Sequence, residues 1–231
     1  MINHLIYLRR SSFGSKMVLT GLFLFGFIYC TTQLFLNMEK DPVMDYVGFM
    51  LNCPTIGVLP VFLMLLYAGS ARYSTFEMVR RDPRLQLKTN LLWCTLVGIV
   101  GALYTWLLFF LIDFPLQGQQ ITPMALSVSL MVPVQIFMMI ISVGLVCLLL
   151  NNLGISWGRF LPIIIGFFAI ADWLLSPLAG NATRFVFYFW YPVAPYWKFV
   201  VIQQIVPFII YCPVMVLANS SAFGNTDRLG D

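Results

Sequence analysis

Uninterrupted apolar runs, rather than alternating apolar and polar positions, set the pattern of this chain. Six such runs stand out: Met17 to Phe35, Tyr46 to Gly69, Asn90 to Ile112, Met124 to Leu150, Phe160 to Leu175 and Phe199 to Ala218. A helix needs about 20 apolar residues to cross the hydrocarbon of a bilayer. Backbone exposed to lipid must satisfy its own hydrogen bonds, so continuous runs predict α-helices. A transmembrane barrel would instead alternate over about ten residues per strand. Pro54 and Pro60 fall inside the second run and predict a kink there. The expected fold class is an all-α integral membrane protein with six transmembrane helices. It forms a single transmembrane domain over 1–231, with spans across 17–218 and a polar tail at 219–231.

The polar intervals refine this layout. Residues 1–16, MINHLIYLRRSSFGSK, mix apolar positions with Arg9, Arg10 and Lys16, as an amphipathic helix on the membrane surface does. The run that follows is longer than a signal-peptide core and lacks a small-x-small cleavage site, so it is expected to be retained as a span. Residues 176–198, SPLAGNATRFVFYFWYPVAPYWK, are too aromatic for a solvated loop. Trp and Tyr favour the membrane interface, and the prolines divide the segment into short pieces. A hairpin re-entering the outer leaflet between spans five and six is the preferred reading, and an aromatic belt the plainer one.

Charge fixes the orientation. The chain is 60% hydrophobic and only 10% charged, with a formal net charge of +4. With the N-terminus inside, Arg9, Arg10, Lys16, Arg72, Arg80, Arg81, Arg84, Lys88, Arg159 and Arg228 lie on the cytoplasmic side. Only Lys40, Arg184 and Lys198 lie outside. The positive-inside rule then places both termini in the cytoplasm. This accounts for the positive charge without a nucleic-acid partner, for which no soluble basic face exists. The five cysteines all sit in apolar runs without CxxC spacing, so neither disulfides nor a metal site are expected.

One interval holds an outsized share of the charge. Residues 72–88 read RYSTFEMVRRDPRLQLK. Ser74-Thr75-Phe76-Glu77 has capping-box spacing, in which the serine hydroxyl and the glutamate each satisfy an amide at the helix start. Asp82-Pro83 predicts the end of that helix, since proline biases its predecessor away from helical geometry. A short helix over 74–82 at the cytoplasmic surface follows. As a plain topology anchor it needs no partner. Phe76 ringed by Arg80, Arg81 and Arg84 also has the residue types of an interface anchor.

The amphipathic start, the six spans, the short helix between spans two and three and the hairpin between spans five and six together resemble the permease subunit of an ABC type-2 exporter. Thr75-Phe76-Glu77 and Pro83 stand where that family often places Thr/Ser-x-Glu and a proline around its coupling helix, while RLQLK is more basic than the family pattern. The resemblance implies that Ser74, Phe76, Glu77, Arg80, Arg81, Pro83 and Arg84 form the ATPase-coupling helix. The chain has no GxxxxGK[ST] loop, so an ABC ATPase subunit is the implied partner, carrying ATP and Mg, with no cofactor on this chain. A second permease copy or a sister permease is implied too, in a bacterial cytoplasmic membrane. The implied activity is outward movement of a hydrophobic peptide, drug or lipid-like molecule.

Four polar residues inside the runs are candidate pathway positions: Asn52, Gln135, Asp172 and Gln203, the last with Gln204 beside it. Buried polar groups in membranes mark pathways or join helices. Gly21 and Gly26 would allow close helix approach, between protomers or within one. The rival readings are a non-transporting structural or regulatory subunit, a channel, and an intramembrane enzyme. The channel lacks a repeated pore motif. The enzyme has only His4, far in sequence from any intramembrane nucleophile.

Overall fold

The computed structural model describes residues 8, 11–36, 41–71, 83–179 and 188–225. The expected short helix at 74–82, with Ser74, Phe76, Glu77, Arg80 and Arg81, lies outside them, as do most of 1–10 and the middle of 176–198. Six long helices make up the described chain, with no strand among the described residues. They are α1 (Phe13–Leu36), α2 (Pro42–Gly69), α3 (Pro83–Leu111), α4 (Pro123–Asn152), α5 (Trp157–Ala179) and α6 (197–225). Five of them, α1 to α4 and α6, are long and apolar enough to cross a bilayer. The protein is a multi-pass membrane protein.

The helix starts follow from local chemistry. Asp41 caps α2 by accepting from the Val43 amide at 3.0 Å, and Thr122 caps α4 by accepting from the Ala125 amide at 3.1 Å. Both are followed by proline at the first helical position, where a missing N–H costs nothing. Pro83 plays the same part for α3. The residue expected to end the short cytoplasmic helix therefore opens the next long one. Arg84 and Lys88 sit exposed on its first turns, ahead of the expected start at Asn90. At the other end of the chain, α6 continues to Asn225 where a polar tail from 219 was expected.

Three helices contain a π-turn: Pro54–Val58 in α2, Ile112–Leu116 following α3, and Val201–Ile205 in α6. Pro54 cannot donate to the preceding turn, and the ladder widens there into a π-turn, a feature the sequence alone did not predict. The interval between the third and fourth apolar runs, DFPLQGQQITP (113–123), begins inside the second of these π-turns.

Burial ranks the helices. In the most apolar stretches of α2 and α4, 78% and 72% of residues are buried, against 17% in α1 and 11% in α6. Thus α2 and α4 form the centre, and α1 and α6 present Phe25, Ile28, Ile202, Ile209, Ile210 and other apolar side chains outward. At the α1–α2 crossing, a Cβ added to Gly26 would lie 2.1 Å from the Gly57 carbonyl oxygen, inside the π-turn. Gly21 has nothing within 4 Å. Gly26 therefore packs within the protomer, and Gly21 does not. None of the five cysteines is in a disulfide, and four of them are buried.

Side-chain contacts show the helices alternating in direction and divide the charges between two ends. Rings of Tyr67 and Trp157 meet at 5.6 Å, joining the end of α2 to the start of α5. Gln117 Nε2 donates to the Leu34 carbonyl at 2.8 Å, joining the ends of α3 and α1. Lys16, Arg84, Lys88 and Arg159 fall at one end, called here the basic end; Asp41, Asp45, Asp113 and Lys198 fall at the other, the acidic end.

Candidate functional site

The centre of the acidic half is a buried amide network. Gln135, on α4, is fully buried. Its Oε1 accepts from the Tyr46 hydroxyl of α2 at 2.7 Å, and its Nε2 donates to Gln204 Oε1 of α6 at 2.8 Å. The same Nε2 donates to the Tyr191 carbonyl at 3.1 Å. Gln204 Nε2 in turn donates to the carbonyls of Tyr191 at 2.8 Å and Tyr188 at 3.2 Å. Tyr46 is also hydrogen-bonded to the Val193 backbone. Two glutamines and a tyrosine from three helices thus hold the segment 188–193, whose own backbone groups have no strand or helix to satisfy them. Such backbone is tolerated at membrane depth when protein covers it.

Aromatic packing fixes the same segment. Trp190 is buried and meets Phe168 of α5 with ring centroids 5.7 Å apart. Phe189 packs against Phe208 and Tyr211 of α6 at 5.5 and 5.3 Å. Two cavities flank it. One, of about 300 Å³, is lined by Tyr188, Tyr191, Val193, Phe199, Gln203 and Gln204 among others. The other, of about 350 Å³, is lined mainly by apolar groups, including Val143, Ile164, Phe167, Phe168, Trp190 and Tyr211. Tyr188 borders both.

The four candidate pathway residues separate in this geometry. Gln135 is the hub. Gln203 lines the first cavity, while its neighbour Gln204 enters the network. Asn52 donates to the Gly48 carbonyl of its own helix at 2.9 Å and joins neither. Asp172 falls on α5, and its side chain lies outside what the structure describes.

Gln135–Gln204 is also the first rung of a ladder between α4 and α6. Tyr211 donates to the Ser142 carbonyl at 2.9 Å, and Asn152 Nδ2 donates to Asn219 Oδ1 at 2.8 Å. Paired residues are 69, 69 and 67 positions apart in sequence, so the two helices run parallel and in register. The first two rungs are seven residues apart on each helix, near two turns, which keeps them on one face.

At the basic end, the chain leaving α2 is clamped. The Ala71 amide donates to Asn90 Oδ1 at 2.7 Å. Asn90 Nδ2 and Gln86 Nε2 both donate to the Ala71 carbonyl, at 3.2 and 3.0 Å. Trp93 Nε1 donates to the Leu66 carbonyl at 3.2 Å, and its ring covers Gly69 so closely that a Cβ there would meet it at 2.4 Å. The charged stretch therefore leaves from a fixed point on α2 and re-enters at Pro83 on α3.

Sequence reasoning passed over Tyr46, Asp45 and Asp113. All three are buried. Tyr46 and Asp45 stand at the expected edge of a span, and Asp113 inside an expected turn, where polarity is unremarkable. Only tertiary placement distinguishes them. Comparison of the chain with protein-family models, with curated proteins and with solved structures found no match in any of the three.

Proposed function

We propose that this protein is the permease subunit of an ATP-driven ABC exporter, moving a hydrophobic peptide, drug or lipid-like molecule outward. The observation that carries the reading is the clamp at Ala71. A short charged helix can transmit a partner's motion only if its roots are stiff, and Asn90, Gln86 and Trp93 make the root on α2 stiff. That motion would reach α2, whose other end carries Tyr46 and so meets the Gln135 network and the segment 188–193. One central helix thus connects the proposed ATPase-docking stretch to the proposed substrate side.

In this reading the basic end faces the cytoplasm of a bacterial cell, in accord with the positive-inside rule. Six spans place both termini there, and the segment between α5 and α6 is a re-entrant hairpin. Phe76, Glu77, Arg80, Arg81 and Arg84 contact a separate ATPase, which binds ATP and Mg. A second permease copy or a sister subunit completes the pathway. The two cavities beside Tyr188, one of mixed polarity and one apolar, suit an amphipathic or hydrophobic substrate.

The test is co-purification from native membranes in mild detergent, followed by mass spectrometry. A nucleotide-binding subunit should co-purify with the wild type. Charge reversal at Arg80, Arg81 and Arg84 should lower its recovery by roughly tenfold or more, the loss expected when interface anchors worth about 2 kcal/mol are removed. The Tm of the permease should stay unchanged. Failure to recover any ATPase would remove the exporter reading and leave 72–82 as a topology anchor.

A further inference from the structure

We infer that the acidic end carries a binding site for a hard divalent cation of the calcium class, formed by the carboxyls of Asp45 and Asp113 with the side-chain amide of Gln119. The π-turn after α3 begins the construction. Gln117, Gly118 and Gln119 amides donate to the carbonyls of Ile112, Phe114 and Asp113 at 2.9, 3.0 and 3.3 Å, folding the chain back over the turn. Gly118 takes a positive φ of 71°, which glycine adopts without strain. This reversal carries Gln119 to α2, where its Nε2 donates to Asp45 Oδ2. A cavity of about 450 Å³, lined by Pro42, Gln117, Gly118, Gln119, Gln120 and Thr122, adjoins the site at Gln119.

Asp113 supplies the independent observation. Its side chain is fully buried, and neither carboxyl oxygen has a hydrogen-bond partner among the described residues. It is also within electrostatic reach of Asp45, itself 1% exposed. Burying an ionised carboxylate without a partner is costly. A proton shared with the Asp45 carboxylate would relieve that cost as well, and the experiment below separates this occupant from an ion.

Charge and donor type identify it. Two buried carboxylates within electrostatic reach of each other are balanced by one divalent ion. Carboxylate and amide oxygens are the ligands of calcium and magnesium, not of softer metals. Donors spread over a helix, a π-turn and a reverse turn suit calcium, which accepts irregular geometry and takes its remaining ligands from water. Lys198, the basic side chain described at this end, is engaged elsewhere, with Nζ 5.1 Å from the Phe199 ring centre and 6.0 Å from that of Tyr196.

The proposal does not depend on the transport reading. It is tested on the full chain, purified and reconstituted in nanodiscs, by thermal unfolding in EDTA against a calcium series. Calcium should raise the Tm saturably, by several degrees, with half-saturation on the order of 0.1–1 mM. Magnesium should act more weakly. Asp113→Asn and Asp45→Asn should each abolish the calcium response. An unmoved wild-type Tm, or equal responses in both variants, would overturn the site. So would acidification in EDTA that stabilises as much as calcium does, with no added effect of the ion, because a proton would then be the occupant.

Discussion

Replacing Gln135 with leucine is expected to release the segment 188–193 from the bundle. The substitution removes three hydrogen bonds at once and strands Gln204 Oε1, which accepts from Gln135. Tyr46 loses its 2.7 Å acceptor but keeps its contact with the Val193 backbone. Leaving buried polar groups unsatisfied costs about 1–3 kcal/mol each. Interhelical hydrogen bonds in membranes average only about 0.6 kcal/mol, because the unfolded chain finds substitutes. The fully buried position of Gln135 favours the higher figure, so we expect a loss of about 2 kcal/mol. The fall in stability should accompany faster proteolysis or labelling within 188–196. Tyr46→Phe should give a smaller loss, and the double variant less than the sum, since both act on one bond. Gln203→Leu is the control. It borders the cavity without entering the network and should leave stability unchanged. Equal Tm values for the Gln135 and Gln203 variants would show that the network holds nothing.

The second large effect is one of sign. Alanine is favoured over glycine in a helix by about 1 kcal/mol, so Gly21→Ala, with open space around it, should be neutral or stabilising. Gly26→Ala should destabilise, although it stands on the same helix. Its new methyl would fall 2.1 Å from a backbone oxygen of the α2 π-turn, which cannot rotate aside. Overpacking of this kind costs about 1–3 kcal/mol. Helix α1, held by little other buried surface, is the element expected to move. Cys30 reports on it directly. Its sulfur would lie 2.4 Å from a Cβ on Gly57 and is buried where α1 crosses α2. Maleimide should label Cys30 slowly in the wild type and in Gly21→Ala, and several-fold faster in Gly26→Ala. Identical labelling in all three would mean that the crossing is looser than the structure has it.

How much of this the sequence shows depends on whether the signal is local. Apolar runs are local, so Met124 to Leu150 anticipates α4 within two residues at each end. Helix starts beyond the apolar run are less visible. Arg84 and Lys88 make the first turns of α3 look like loop, and Pro83 is equally suited to follow one helix or to begin another. The membrane class was legible for the same local reason. The site was legible only in residue type. Intramembrane amides could be picked out, but nothing in the spacing pairs Gln135 with a residue 69 positions away. Choosing Gln204 over Gln203 was harder still, because the π-turn at Val201–Ile205 adds a residue to the turn and rotates the inward face of α6. Asp113 was hidden by the same device. A widened turn carried into the bundle a carboxylate that periodicity assigns to a surface connection.

The rungs between α4 and α6 limit how the last helix can travel. Each is a hydrogen bond between groups fixed to parallel rods, at heights that run from the middle of α4 to its C-terminal end. Sliding α6 along α4 by a fraction of a turn would break all of them before any could re-form. Creep is therefore disfavoured. Helix α6 either keeps its register and carries α4 with it as one stiff strut, or it disengages in a single cooperative jump. A conformational cycle in this protein should then show two positions of that pair and nothing populated between them.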